Sequence, residues 1–453
     1  MFFDTHVPSA AEARLDTGLP ALLLRTDRNH FHHGTLAAIR SLGRAGVPVH
    51  AILEGRGNPS SRSRYLHRGH PWAPPAARPA ALLSHLRTIG ERVGRQALLV
   101  PLDDAGAIFV AEHADALAPH FAFPHQDPDV PLGVADKSLL LDACARYGIQ
   151  CPPSRTPTSA REVDEAARDW GLPLIAKWAR PWLRGPGLRS TTLVRTLAEA
   201  HRLFAASRDN ARVRDRDLDG EAGRLILQRH IPPGGGDWFF QGYFDESLEC
   251  LFGGVGRKHL SHPPQAGHTV SGEWVDNAEL GRLAVRIVRL LGCRGLVDLD
   301  FRLDPDGGGY HLLDFNPRLG AQFRLFTDQN GLDQIRVLHL AQSGRRVPAV
   351  RPAFGRNLLV ENHYLQQSAA RSLRALPRTV APFRRSAVPH PRPFLPLPAT
   401  LRALPEAIRS RPATLRPLRE ADEFAWYAGD DLPPFLAMGR QSVLRAVGRL
   451  RTR

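Results

Sequence analysis

The chain has 453 residues, 43% of them hydrophobic and 23% charged, with a formal net charge of +15 and a pI near 10.7. That length exceeds one ordinary core, so two or three globular domains are expected, and the composition excludes a disordered or fibrous chain. The charge invites a nucleic-acid partner, but the basic residues are spread out instead of forming one block with interleaved aromatics, so nucleic acid is disfavoured.

Residues 1–18 read as a loosely ordered lead-in without the basic patch and apolar core of a secretory signal. Residues 21–24 (ALLL) form a short buried strand, followed by RTDRNHFHHG, a helix over 35–45 and a strand over 47–53. This is a βαβ unit and implies a parallel sheet. The first turn lacks GxGxxG, so no dinucleotide site is expected. His30, His32 and His33 read as polar surface or substrate contacts ahead of metal ligands. A helix over 79–93, a strand over 97–101 and the pair Asp103–Asp104 at the head of another helix complete a small α/β domain over 19–125.

Only three of the 60 basic residues are lysines, namely Lys137, Lys177 and Lys258. Against that bias toward arginine, each surviving lysine suggests a site that needs a compact ammonium rather than a wide planar guanidinium. Lys137 opens a helix that ends at Gly148, and Lys177 closes the apolar strand in LPLIAKW. A buried lysine there is costly unless it meets an anion. The loop Gly185-Pro186-Gly187 that follows offers amides of the kind that cover phosphates. The segment LILQRHIPPGGGD is a strand that breaks at 232–236 and restarts at Asp237. Backbone groups of such a break can bond an adenine edge, and a short acid beyond it can reach ribose hydroxyls. Lys258 sits in GRKHLSHPPQAGH.

The most informative stretch is GLVDLDFRLDPDGGGYHLLDFNPRLG, residues 295–320. Its apolar–charged alternation and DPDGGG turn predict a β-hairpin. That hairpin brings Asp300, Asp314 and Asn316 toward one spot, with Arg318 just beyond and Asp298 behind. Oxygen ligands from one to three side chains, with places left for phosphate and water, suit Mg²⁺ in a nucleotide site, with Mn²⁺ as the alternative.

The ordered series DK, strand-lysine, QxxIPxGxD, GRK and D…DFNPR resembles the ATP-grasp superfamily in its carboxylate–amine ligase branch. The resemblance covers roughly 20–350. It implies an α/β chain, α+β within the module: a parallel-sheet domain, then a two-lobed ATP-grasp module over 126–350. It also implies that Lys137 and Lys177 reach the phosphates of ATP, that Gln228, His230 and Ile231 line the adenine, and that Asp237 binds ribose. Arg257, Lys258 and Arg318 would face phosphate and substrate, with His268 as a further contact, while Asp300, Asp314 and Asn316 hold the metal. The implied reaction activates a carboxylate as an acyl phosphate for attack by an amine. A kinase-like phosphotransferase and a non-catalytic nucleotide-binding scaffold stay open at this point. Both the carboxylate and the amine would be small molecules.

Pro and Arg dominate 351–453, leaving little room for long helices before an aromatic patch and a short basic amphipathic helix. This reads as a tail wrapping the core or meeting a partner, protein or membrane surface. The four cysteines show no CxxC spacing and suit free thiols in a reducing cytoplasm.

Overall fold

The computed structural model describes residues 14–451 except 56, 73–77, 186, 215–222, 265–266 and 375–416. Most of the expected lead-in, Pro186 of the glycine loop and the most Pro/Arg-rich part of the C-terminal stretch therefore lie outside the described residues.

Five strands form the parallel sheet: β1 (Ala21–Leu24), β2 (Val49–Leu53), β3 (Leu66–Pro71), β4 (Ala97–Pro101) and β5 (Phe121–Ala122), in the order β3-β2-β1-β4-β5. All four residues of β1 are buried because both faces are covered. Ala21 and Leu23 pack with Leu36, Ile39 and Leu42 of the helix His33–Arg44. Leu22 and Leu24 point the other way, into Leu82 and Leu86 of the helix Pro79–Val93.

A four-stranded antiparallel sheet follows, built from β6 (Ser154–Arg155), β7 (Leu174–Trp178), β8 (Thr191–Val194) and β9 (Leu225–Arg229), ordered β6-β9-β7-β8. Helices Ala160–Trp170 and Leu197–Arg214 cover one face, where Val163, Ala166, Ala200 and Phe204 meet Leu174, Ala176, Trp178 and Leu227. By strand alternation Ile175 and Lys177 turn to the opposite face.

The largest sheet comprises β10 (Asp237–Phe244), β11 (Cys250–His262), β12 (His268–Val275), β13 (Gly295–Asp304), β14 (Gly309–Asn316), β15 (Asn357–Leu359) and β16 (Glu423–Phe424). Its order is β14-β13-β10-β11-β12-β15-β16, antiparallel except for the last pair. Phe240, Val255, Val297, Leu299, Phe301 and Phe315 line one face and pack on Leu280, Ala284, Ile287 and Val288 of the helix Ala278–Leu291. The hairpin pairs Asp298 with Asn316 and Asp300 with Asp314, then slips so that Phe301 meets Leu312. Leu313 is thus the extra residue of a β-bulge.

The C-terminal stretch corrects the sequence reading. Its described parts are structural members of the core and not a tail laid over it. β15 and β16 extend the main sheet, and helices Glu361–Arg374 and Pro433–Arg451 are far longer than the proline content suggests. Most prolines of this stretch fall between the two helices, at positions 377–417, and so do not interrupt either one. Trp426 is fully buried, donating its ring N–H to Asn362 Oδ1 at 3.1 Å. Asp431 is buried opposite Arg40, with Nε–Oδ2 at 2.9 Å, and also accepts from Ser63 Oγ and the Arg64 amide. Removing one partner of a buried pair strands the other charge, so Asp431→Ala is expected to lower stability by ~3–5 kcal/mol. Urea denaturation followed by fluorescence measures this, and an unchanged midpoint would mean the segment docks loosely. No described helix is long and apolar enough to cross a membrane.

Candidate active site between the sheets

A cavity of about 710 Å³ opens where the three sheets meet. Lys137, Lys177, Lys258, Gln228, Ile231, Asp237, His268, Asp300, Asp314, Asn316 and Arg318 all line it. Each is held there by a local feature of the chain.

Asp136 caps the helix Lys137–Tyr147, accepting from the Ser138 amide at 2.9 Å and from Arg180 Nε at 2.7 Å. Burial works against its charge, yet Ser138 and Arg180 hold its carboxyl below the usual range. The cap fixes Lys137 in the first turn, from which its ammonium reaches Asp314 Oδ1. Lys177, next to last in β7, donates to the Leu313 carbonyl at 2.6 Å, so the bulge supplies its acceptor. Burial pushes the Lys177 ammonium down to about 8, partly offset by Asp314. Lys258 lies opposite Asp237 in the β10–β11 pairing, with Nζ 2.6 Å from Asp300 Oδ1. Burial opposes its charge, but Asp300, Asp237 and Asp298 outweigh burial and raise its pKa.

Asp314 shows the same balance with the sign reversed. Burial favours its neutral form, while Lys137 and Lys177 pull its carboxyl below the usual range. Asn316 donates through Nδ2 to the Asp298 carbonyl at 3.1 Å. Asp298 itself faces inward, accepting from Gln241 Nε2 at 3.0 Å and Arg318 Nη1 at 2.8 Å. Gly320 crosses so close to Gln241 that a Cβ there would collide with its amide and press tightly on Asp298.

Two expected residues stand apart. Arg257 precedes Lys258 in the strand and so points to the other face; it is exposed, with its guanidinium 5.4 Å from the centre of the Trp238 ring. It therefore does not share the cavity with Lys258. His230 sits between two lining residues without lining the cavity itself, and burial lowers the pKa of its ring.

Arg302 and Asp104, which also line the cavity, have no role in the sequence reading. Arg302 donates through Nε to Asp237 at 2.6 Å and through Nη1 to the Ile231 carbonyl at 3.0 Å, tying the strand break to the hairpin. Asp104 comes from the parallel-sheet domain and meets Arg318 Nε at 3.4 Å. Burial raises its pKa, against the pull of Arg318 and Lys137. His32, read from the sequence as a surface or substrate contact, also lines the cavity, and burial together with Arg25 keeps its pKa well below the ordinary value. The available signal was topological: ligands gather at the carboxyl ends of parallel strands where the strand order reverses, here around β1 and β4.

Chemically, the cavity sets Asp300 and Asp314 opposite each other across the hairpin, with the three ammonium groups, Arg318 and further aspartates and arginines around them. Asp300 Oδ1 is buried and meets the Lys258 ammonium at 2.6 Å. Among the described residues no group of three or more His, Cys, Asp or Glu side chains is disposed to hold a metal ion. A hard cation would therefore draw on Asp300, Asp314 and the Asn316 amide, with oxygens of a bound ligand filling its remaining positions.

No family model and no curated protein matches the sequence. Solved structures match the fold. The N5-carboxyaminoimidazole synthetase of Staphylococcus aureus complexed with ADP aligns at TM-score 0.56 and 12% identity, covering 76% of this chain and 82% of that one. An L-amino acid ligase from Bacillus licheniformis aligns at 0.53 and 14% identity, over 75% and 78% of the two chains. The biotin carboxylase of Campylobacter jejuni, in a β-γ-ATP complex, aligns at 0.52 and 15% identity, over 75% of each. The chain has the ATP-grasp fold. Within that ATP-grasp fold the cavity is bounded by the small antiparallel sheet, the main sheet and the carboxyl ends of the parallel strands.

Proposed function

We propose that this chain is an ATP-dependent ligase joining a small-molecule carboxylate to an amine, with ADP and phosphate as co-products. The observation that carries the reading is the meeting of Lys137, Lys177, Lys258 and Arg318 with Asp300, Asp314 and Asn316 in one cavity. Lys137 and Lys177 bind the phosphates. Lys258 and Arg318 neutralise charge as it spreads over the transferring phosphoryl group and hold the acceptor carboxylate. Gln228 and the Ile231 backbone face adenine, and Asp237, oriented by Arg302, meets the ribose. Asp300, Asp314 and Asn316 would hold Mg²⁺, or Mn²⁺, which when bound supplies further neutralisation of the phosphate oxygens. The cytoplasm suits such an enzyme, and the four cysteines are free thiols.

A carboxylate is a poor electrophile at neutral pH. Transfer of the γ-phosphoryl group makes it an acyl phosphate and releases ADP. The amine nitrogen then forms the new C–N bond as the C–O bond to phosphate breaks. The protein incubated with ATP, Mg²⁺ and a panel of amino acids and small acids is expected to yield ADP and phosphate. Hydroxylamine replacing the amine should trap the activated carboxylate as a hydroxamate. AMP formed stoichiometrically with product would overturn the reading.

A further inference from the structure

Exposed large hydrophobic side chains are unevenly distributed. Seven of the eleven among the described residues, Phe354, Leu365, Tyr427, Leu432, Leu436, Val443 and Leu444, fall in the C-terminal region. Scattered exposed apolar residues need no explanation, but a concentration on one element does. The helix Pro433–Arg451 carries three of them. One of its sides is committed to the protein: Met438 is buried in the core with Phe435 beside it, and Gln441 donates to the Gly57 carbonyl. At 100° per residue, Leu436, Arg440 and Val443 share the opposite side, flanked by Leu444. Leu436, Val443 and Leu444 are 64%, 63% and 59% exposed, and Arg440 is exposed between them.

We propose that this face docks onto an anionic lipid bilayer, lying in the interface with its leucines and valine below the headgroups. The charge pattern selects that occupant. The helix contains no acidic residue, and the chain carries a net +15, so a second copy would set like charges against each other. An anionic headgroup layer instead meets Arg440 directly, while the apolar side chains on either side enter the acyl boundary. The helix is too polar to cross the bilayer, and its anchorage to the core means that docking would orient the whole molecule on the surface.

The test uses the full chain and sedimented vesicles. Partitioning into equimolar phosphatidylglycerol–phosphatidylcholine vesicles is expected to exceed that into phosphatidylcholine alone by roughly tenfold or more. The triple variant Leu436→Gln, Val443→Gln, Leu444→Gln keeps every charge and should lose about tenfold or more of that binding. Its melting temperature should not change, since all three side chains already face water. Arg440→Gln should narrow the preference for phosphatidylglycerol. Wild-type-like binding by the triple variant would reassign the effect to diffuse arginine attraction and overturn the proposal, as would no binding at all. So would sedimentation velocity showing a dimer that the triple variant lacks, which would assign the face to a second copy.

Discussion

Asp314→Asn is expected to lower kcat/KM for ATP turnover by about 10³-fold or more, roughly 4 kcal/mol in the barrier. The substitution preserves shape, and the Asp314 side chain is already 29% exposed, so packing changes little. What is lost is a carboxylate facing both Lys137 and Lys177, paired across the hairpin with Asp300. Asp298→Asn is the informative control. Its side chain is only 7% exposed and holds Gln241 and Arg318. Its loss should therefore fall first on thermal stability and on the placement of Arg318, with a smaller drop in turnover, about tenfold. Steady-state kinetics beside melting curves separate the two variants. Equal losses of turnover at both positions would mean that the acid holding the cation has been wrongly assigned.

The hairpin was legible because a period of two and a glycine-rich turn are local properties. Alternation alone puts Asp298, Asp300 and Arg302 on one face. The bulge at Leu313 was not legible, since nothing in HLLDFN marks which strand carries the extra residue. Yet that bulge gives Lys177 its acceptor. Alternation also tells Lys258 from Arg257, and a motif read as a block obscures it. Asp104 and His32 reach the cavity through tertiary packing from far upstream of the hairpin, so local pattern could only hint at them through strand ends. In the C-terminal region the closing amphipathic helix was legible, though not its length, while abundant prolines masked the helix Glu361–Arg374 and two sheet strands. Trp426 and Asp431 belong to the core through partners such as Arg40 and Asn362, and composition carries no information about partners so distant in the chain.

Lysine scarcity leads to the sharpest test of the nucleotide site. Lys177→Met should weaken MgATP binding by about 100-fold, because it removes a charge-assisted contact to phosphate from a buried position. Lys177→Arg should weaken it nearly as much, since a planar guanidinium does not fit beside the Leu313 carbonyl, where a compact ammonium sits 2.6 Å away. The two cations also differ in their response to pH. Burial brings Lys177 down to about 8, so below pH 8 the free protein holds the ammonium and ATP meets a cation. Above pH 8 the free protein sheds that proton, and binding must first take it back. Affinity should then be level below pH 8 and fall above it by up to about tenfold per pH unit. Arginine keeps its charge throughout this range, so the Lys177→Arg variant should bind weakly but without the alkaline decline. Calorimetric titration with MgATP from pH 6.5 to about 9.5 distinguishes them, a window set by the reference pKa of lysine near 10.4. An alkaline decline of the same slope in the arginine variant would place the titrating group elsewhere, and wild-type affinity in that variant would remove the case for a compact ammonium at this position.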